Sequence, residues 1–189
     1  MISSTTNKQI KYVSALVKKA KTRREEDLFV AEGLRMCVEI PKDRIHTLYM
    51  SESFAKGKEA NALKNGVRHV ELVSDEVFRA MSDTQSPQGV LALVRQYHYE
   101  LDDVTKTRAE SGKPALLMVL EHLQDPGNLG TIFRTAEAAG VTGILLSKDC
   151  VDVYNPKVIR STMGAVFRMP FLYVEDLPEK IKELQEFIS

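Results

Sequence analysis

The 189-residue sequence has few cysteines, no long apolar run and no net charge. Its two cysteines, Cys37 and Cys150, lie far apart without the spacing of metal ligands, so we expect neither a zinc site nor a disulfide framework. Apolar neighbours predict that both are buried thiols. No stretch approaches the roughly 18 apolar residues of a membrane-spanning helix, and the N-terminus lacks the apolar core of a signal peptide. These absences favour a cytoplasmic protein over a secreted or membrane protein.

Positive and negative residues balance over the whole chain, with 26 of each sign, so no overall field favours a polyanion. The distribution is nevertheless uneven. Residues 8–24 contain no acidic residue, and their basic residues are Lys8, Lys11, Lys18, Lys19, Lys21, Arg23 and Arg24. Such a segment is typical of a nucleic-acid contact, but a solvated helix face has the same composition. Composition alone leaves both interpretations open.

Apolar spacing predicts a small α/β domain over residues 1–98. A first helix is expected from a cap at Asn7 to about Ala20, with an apolar face formed by Ile10, Val13, Leu16 and Val17. Residues 31–40 are predicted to form a second helix, which Pro41 would end. Shorter elements follow: strands at 46–50, 67–73 and 89–94, and helices at 56–65 and 74–81. Strands that alternate with helices indicate an α/β layer.

Residues 99–113 are polar, charged and without periodicity, which is typical of a linker. A second α/β unit is predicted over residues 114–189, with strands at 115–120, 143–147 and 170–174 and helices after Asn128, near Asn155 and from about Asp176. Its first strand is expected to be buried, because all of its residues are apolar. A parallel sheet buries both faces, so three strands supply little core, and we expect the unit to continue beyond these residues.

The sequence lacks the common cofactor motifs: GxGxxG, the Walker A loop, HExxH and the nucleophile elbow. It does contain a turn and a helix directly after the first strand of the second unit, at residues 125–140. Asn128, Arg134 and Glu137 lie there, at or just after the edge where open α/β sheets bind ligands. Gly140 is placed to end the helix in a left-handed conformation. A ligand site is therefore expected on this segment.

Longer stretches resemble a known family. Residues 128–140 (NLGTIFRTAEAAG) are similar to the first motif of the SpoU, or TrmH-like, RNA ribose methyltransferases of the SPOUT class, and residues 155–170 resemble their second motif. Residues 29–33 and 86–89 resemble parts of that family's N-terminal substrate-binding domain. The resemblance covers essentially the whole chain. It implies a small N-terminal α/β substrate-binding domain, a linker and the first part of an α/β-knot methyltransferase domain with a parallel sheet.

The resemblance also implies a chemistry: methylation of a ribose 2′-hydroxyl in RNA by S-adenosylmethionine, with ribosomal RNA as the expected substrate and a homodimer as the expected assembly. Asn128, Arg134 and Glu137 match the first motif and are the expected catalytic residues. A guanidinium is a poor base, so we expect Arg134 to position a phosphate and stabilise a developing oxyanion. Asn128 would hold the loop and the nucleotide. Glu137 would orient Arg134 through an i,i+3 pair; an ordinary surface ion pair is the alternative.

Further residues are expected to contact RNA: Lys18, Lys19, Arg23, Arg24, Arg35 and Gln88. Basic side chains suit phosphate groups, which position an RNA without reading its sequence. Ser161 and Gly164 belong to the second motif and are expected to shape the cofactor pocket or a subunit interface. Helix packing and a helix C-cap are the alternative interpretation of these two residues.

Two parts of the family pattern are not found in these residues: the third motif with its Ser-Leu-Asn, and the Gly-Asn-Glu-Gly loop that holds the cofactor. The resemblance therefore implies that most of the S-adenosylmethionine pocket lies outside this chain, and that this chain alone binds the cofactor poorly and is inactive. Micromolar binding in calorimetry would contradict that expectation. Two rival functions stay open. One is a non-catalytic RNA-binding module; the other is an unrelated α/β nucleotide-binding domain, against which the lack of a phosphate loop counts.

Overall fold

The structure is a computed structural model that describes residues 1–105 and 114–188. Its helices are α1 (Lys8–Lys18), α2 (Ala20–Glu26), α3 (Leu34–Glu39), α4 (Glu52–Ala55), α5 (Lys58–Lys64), α6 (Asp75–Met81), α7 (Leu101–Thr105), α8 (Pro126–Ala139), α9 (Pro156–Thr162) and α10 (Leu177–Ile188). Its strands are β1 (Leu28–Glu32), β2 (Ile45–Ser51), β3 (Val70–Val73), β4 (Val90–Arg95), β5 (Leu117–Leu120), β6 (Gly143–Ser147) and β7 (Phe171–Val174). In the described part of the chain, no helix is long and apolar enough to cross a membrane.

The first sheet has the strand order β1-β4-β2-β3. β4 pairs antiparallel with both β1 and β2, whereas β3 runs parallel to β2. Helices α1 and α6 cover one face of this sheet. There the apolar residues predicted for α1 are buried in one cluster with Leu28, Phe78 and Leu91. Each layer buries its apolar face against the other, so this part of the chain forms the predicted α/β layer.

The second sheet is parallel and has the order β5-β6-β7. All residues of the central strand β6 are buried, as a parallel strand covered on both faces requires. The expectation of a buried first strand is wrong for β5, where Val119 is 40% exposed. Among the described residues, β5 has a hydrogen-bonded neighbour on one side only. The predicted α/β architecture with a parallel sheet is confirmed.

The two sheets share one hydrophobic core. Phe29 of β1 stacks on Tyr154, with ring centroids 4.7 Å apart, and on Phe167 at 6.3 Å. These rings belong to a buried cluster that extends from the first sheet to β6 and α9. Residues of the second unit therefore complete the core of the first. The domain boundaries at residues 98 and 114 stay a prediction.

The helix predicted at residues 31–40 is wrong in its first part. Strand β1 continues to Glu32, and α3 begins only at Leu34. Gly33 lies between them at φ 98°, a left-handed conformation that separates strand from helix and favours glycine. The buried Glu32 carboxylate accepts a hydrogen bond from the Ser82 hydroxyl at 2.5 Å. This contact with a distant residue stabilises Glu32 as the last residue of β1.

Part of the predicted linker is helical. Helix α7 occupies its beginning, and Val104 of this helix is buried. A Cβ atom added at Gly143 of β6 would lie 2.4 Å from Cβ of Val104, so α7 packs directly on the parallel sheet. Residues 106–113 of the predicted linker lie outside the described residues.

Candidate active site

Helix α8 follows β5 after a short turn and begins at Pro126, earlier than predicted. The carboxylate of Asp125 caps it by accepting the backbone N–H of Asn128 at 2.7 Å. An acidic cap accepts a backbone N–H that has no partner within the helix, and its negative charge interacts favourably with the positive end of the helix dipole. At the other end Gly140 adopts φ 79°, the predicted left-handed cap. This frame presents Asn128 in the first turn, exposed to solvent.

Helices α8 and α9 pack at Gly130 and Ser161. A Cβ atom added at Gly130 would lie 2.2 Å from Cβ of Ser161 and 2.8 Å from the carbonyl oxygen of Val158. Only glycine permits that approach. Ser161 of α9 therefore packs against α8, which agrees with the alternative interpretation of helix packing. A role of Ser161 in a cofactor pocket stays a prediction.

The chain turns sharply after α9. Met163 ends the helix at φ 48°, and Gly164 follows at φ 94°. A Cβ atom at Gly164 would lie 3.1 Å from Cγ of Glu39, so this turn packs against α3 of the first unit. Gly164 thus permits a contact within the chain. A role of Gly164 at a cofactor pocket or a subunit interface stays a prediction.

Glu137 does not pair with Arg134, which corrects the predicted i,i+3 contact. Its carboxylate binds Arg168 through two hydrogen bonds, from Nε at 2.5 Å and from Nη2 at 3.2 Å. Arg168 also donates to Glu39 of α3 at 2.6 Å. These contacts, led by the hydrogen bond to Glu137, raise the pKa of Arg168 above its ordinary value. The bidentate geometry of Arg168 explains why Glu137 prefers it.

Arg134 is exposed, and no carboxylate within residues 1–105 and 114–188 forms an ion pair with it. Its Nη1 donates to Sδ of Met163 at 2.8 Å. A thioether is a weak acceptor, so the guanidinium keeps most of its hydrogen-bonding capacity for a ligand. The planar fork of a guanidinium fits a phosphate in a bidentate manner. Arg134 is therefore placed to bind an anion.

A cleft of about 470 Å³ opens beside Met163, between α3 and the end of α9. Its apolar wall includes Leu34, Val38 and Met163, and its charged wall includes Arg35 and Arg160. Arg35 is one of the predicted RNA contacts and is exposed. Arg35 therefore lines the cleft itself, whereas Arg134 lies beside it and contacts Met163 of its wall.

The other predicted RNA contacts differ in their surroundings. Lys18, Lys19 and Arg24 are exposed near the junction of α1 and α2. Gln88 is also exposed, but its Oε1 accepts the backbone N–H of Leu34 at 2.8 Å and so caps the start of α3. The side chains of Lys18, Lys19 and Arg24 are accessible to a phosphate in solvent, whereas Gln88 already bonds the backbone of Leu34. RNA contact by these residues stays a prediction.

The prediction that Arg23 contacts RNA is wrong, because its side chain is only 3% exposed. Its Nη1 donates to the carbonyl oxygens of Leu16 at 2.8 Å and Val17 at 3.1 Å. Its Nη2 donates to Oδ2 of Asp152, in the second unit, at 2.6 Å. A guanidinium enclosed in this way joins the two units and does not reach a phosphate in solvent. The sequence carries no signal of it, since Asp152 lies 129 residues away.

A second cavity, of about 410 Å³, lies at the carboxyl end of the parallel sheet. Several carboxylates line it: Glu121, Asp149, Glu175 and Asp176. His122 contacts Asp149, and Lys148 contacts Glu175. None of the sequence motifs includes these residues. Their position directly after β5, β6 and β7 is the signal that could have identified them.

The matches to known families cover both units. The SpoU rRNA Methylase family matches residues 115–188, and the MRM3-like substrate binding domain matches residues 7–92. Residues 115–188 thus match the SpoU rRNA methylase family. The first of these matches covers the parallel sheet and the second covers most of the first sheet, so the SPOUT resemblance of the sequence is confirmed.

Relatives and solved structures agree with this assignment. An uncharacterised tRNA/rRNA methyltransferase of Synechocystis is 35% identical over 96% of this chain and 65% of that protein. A Bacillus subtilis 23S rRNA (guanosine(2553)-2'-O)-methyltransferase is 28% identical over 97% of this chain and 68% of the relative. A crystal structure of an AdoMet-bound rRNA methyltransferase from Sinorhizobium meliloti has a TM-score of 0.78 at 29% identity, over 97% of this chain and 67% of that one. The chain spans less than two thirds of the length of the Synechocystis relative.

Proposed function

We propose that this chain is part of an S-adenosylmethionine-dependent methyltransferase that modifies a ribose 2′-hydroxyl of ribosomal RNA. The observation that carries the proposal is Arg134, an exposed guanidinium that no carboxylate of the described residues neutralises, on the helix after the first parallel strand. The family and a Bacillus subtilis relative named as a 2'-O-methyltransferase support it. Such a cation suits the phosphate next to a reacting ribose.

Methyl transfer to a ribose oxygen requires the oxygen to be aligned with the methyl group and the hydroxyl proton to be removed. Guanidinium groups stay charged in proteins at neutral pH, so we assign Arg134 to binding and charge stabilisation rather than to proton removal. Its fork would hold the phosphate, and its charge would stabilise the ribose oxygen as the proton leaves. Asn128, exposed in the first turn of the same helix, would hydrogen-bond the ribose through its amide.

Glu137 is assigned a positioning role in place of a catalytic one. It binds Arg168, which also binds Glu39, and these three residues tie α8 to α3 of the first unit. A fixed α8 holds Arg134 in one place relative to the substrate-binding part of the chain. Positioning of this kind supports catalysis because small misplacements of a binding group are costly.

The residues at the carboxyl end of the parallel sheet fit the methyl donor. S-adenosylmethionine supplies an activated methyl group on a positively charged sulfur. The cavity of about 410 Å³ there has the size of a small-molecule site, and carboxylates suit both a cation and ribose hydroxyls. We assign Glu121 and Asp149 to contact with the donor. They supply one side of its pocket.

We further propose that the protein works in the cytoplasm and as a homodimer. The resemblance to SpoU enzymes, which act as homodimers, supports the assembly, and ribosomal RNA as the expected substrate supports the location. Sedimentation equilibrium of the protein that carries this chain tests the first point. A molar mass of one chain at all concentrations would contradict it.

Methyl transfer to ribosomal RNA tests the proposed function. The protein that carries this chain is incubated with tritium-labelled S-adenosylmethionine and ribosomal RNA transcribed in vitro, and the RNA is then hydrolysed in alkali. Alkaline cleavage needs a free 2′-hydroxyl, so we expect the label in alkali-resistant dinucleotides. Label in mononucleotides would instead show methylation of a base.

A non-catalytic RNA-binding module is the second candidate. The exposed cations Lys18, Lys19 and Arg24 favour it, because phosphate contacts alone are sufficient for RNA binding. This function predicts RNA binding without any transfer of label in the same experiment. Binding together with labelled dinucleotides would exclude it.

A further inference from the structure

The cleft of about 470 Å³ between α3 and the end of α9 exposes apolar surface next to Arg134. Val38 is 60% exposed and Met163 is 53% exposed, and both line this cleft. Large apolar side chains that are left open together mark an interaction site more often than single ones do. The cleft is therefore a candidate binding site in its own right.

Ion pairs between the two units hold the walls of the cleft. Arg160 of α9 pairs with Asp83 at 2.9 Å, and Arg168 pairs with Glu39 of α3 at 2.6 Å. Gly164 lets the turn after α9 pack against α3. These contacts fix both walls relative to each other, so the cleft exists before a ligand enters, as most small-ligand sites do.

The charge of the cleft is positive. Glu39 is the carboxylate that lines it, and Glu39 already pairs with Arg168. For Arg35 and Arg134, no ion pair with a carboxylate exists in the described residues. Uncompensated guanidinium groups attract phosphates. Charge complementarity therefore favours a polyanion such as a nucleic acid over a neutral or basic protein surface.

We infer that the cleft receives the base of a single-stranded RNA nucleotide whose phosphate is held by Arg134. This inference rests on the proposed function, which makes RNA the substrate. Unstacked bases stack on guanidinium planes, and bases flipped into a pocket also pack against aromatic or apolar side chains. Val38 and Met163 offer the apolar surface, and Arg35 offers the guanidinium. The volume lies within the range of about 300–1,000 Å³ for small-ligand sites, which suits one nucleotide.

Met163 links the base to the phosphate contact. Its side chain lines the cleft, and its Sδ accepts a hydrogen bond from Arg134 at 2.8 Å. A base packed on Met163 thus lies beside the guanidinium that holds the phosphate. Met163 also has φ 48°, which glycine adopts freely, so Met163→Gly removes the side chain without straining the backbone.

Fluorescence anisotropy with abasic RNA tests the inference on the chain as it stands. The probes are a fluorescein-labelled single-stranded RNA of mixed sequence, about ten nucleotides long, and a series in which each position in turn lacks its base. We expect one abasic position to weaken binding roughly tenfold. We expect Met163→Gly to weaken binding of the intact RNA by the same factor and to leave binding of that abasic RNA unchanged.

Independent effects would overturn the inference. If the abasic position and Met163→Gly each weaken binding and their factors multiply, the base does not lie on Met163. In that case RNA binding, and with it the proposed function, still stands. If no RNA of the series binds at low salt, the RNA substrate is refuted, and the base-binding cleft is refuted with it.

A pair of charge variants separates this cleft from a subunit interface. Val38→Glu places a carboxylate in the cleft and should weaken binding of the intact RNA, whereas Leu116→Glu, at an apolar site 51% exposed outside it, should not. Sedimentation velocity is measured on both variants. A dimer that dissociates only in Val38→Glu, without coupling to the abasic position, would identify the cleft as a contact between two copies and overturn the inference.

Discussion

Three arginines of this chain carry the same charge and do different work. Arg23 is buried against Asp152 and backbone carbonyls, and Arg168 is held between two carboxylates. Arg134 is exposed and touches a thioether. Partner and burial, rather than residue type, decide which arginine stabilises the fold and which one is open to a ligand. Variants of single residues separate these roles.

Replacing Arg23 with alanine should lower the free energy of unfolding by about 3 kcal/mol, because Asp152 and two backbone carbonyls lose a buried charged donor. Urea unfolding followed by circular dichroism measures the change. Arg24→Ala is the matched control: Arg24 is exposed, and its loss should change the free energy of unfolding by less than about 0.5 kcal/mol. Equal effects of the two variants would contradict the structural role of Arg23.

Met163→Gly should leave the free energy of unfolding unchanged or raise it by up to about 1 kcal/mol. The reason is that Met163 adopts φ 48°, a conformation in which a Cβ atom strains the backbone and glycine is unstrained. Thermal and urea unfolding measure it, with Met163→Ala as the control that keeps Cβ in the same conformation. A clear loss of stability in the glycine variant would show that the Met163 side chain supports the fold and is not kept for a ligand.

At the scale of helices and strands, the sequence predicts well where local contacts decide. The apolar spacing of α1 identifies its four buried residues, and Gly140 ends α8 as expected. Asn155 and Pro156 start α9, because a side-chain cap and a fixed φ act within one turn. These features need no knowledge of the rest of the chain.

Prediction fails where distant residues decide. Residues 31–40 have a helical pattern, yet β1 pairs with β4, so that Ala31 lies opposite Ala92 and Glu32 lies opposite Leu91. The helix that carries Arg134 is predicted, although it begins earlier than expected, but the partner of Glu137 is 31 residues away. The cleft beside Met163 requires α3 and α9 to meet. A single sequence does not specify such contacts between its two units.

Gly130→Ala tests the close packing of α8 on α9. The added Cβ would lie 2.2 Å from Cβ of Ser161, so the helices must move apart, and the free energy of unfolding should fall by roughly 1–3 kcal/mol. Urea unfolding measures the loss. Adding Ser161→Gly should restore part of the lost stability. Thr131 is the exposed residue next to Gly130, and Thr131→Ala should have little effect on stability. An unaltered stability of Gly130→Ala would contradict the packing described.

At the scale of the whole molecule, exposed cations lie both at the α1–α2 junction and at the cleft. The two units between them share a core through Phe29 and Tyr154 and are tied by Arg23 to Asp152. A single RNA could therefore contact the junction with its backbone and the cleft with one nucleotide. Such a division matches general practice in RNA recognition, in which phosphates position and exposed bases specify.

The junction contribution is electrostatic and should depend on salt. Replacing Lys18, Lys19 and Arg24 together with alanine should weaken binding of single-stranded RNA and reduce the slope of log affinity against log salt by about 2, since each lost phosphate contact removes about 0.7. Filter binding at several salt concentrations measures both values. The matched triple variant of Lys56, Lys58 and Arg79, also exposed, should keep the slope. An unchanged slope in the first variant would favour a solvated helix face.

Single-turnover methyl transfer by Arg134→Ala tests the central assignment most directly. The rate is measured with ribosomal RNA and S-adenosylmethionine in the protein that carries this chain, and the free energy of unfolding of the variant is measured beside it. We expect the rate to fall by about 10²-fold or more, with unchanged stability and partial recovery in Arg134→Lys, because a lysine restores the charge but not the fork. An Arg134→Ala variant that methylates ribosomal RNA at the unaltered rate would contradict the assignment.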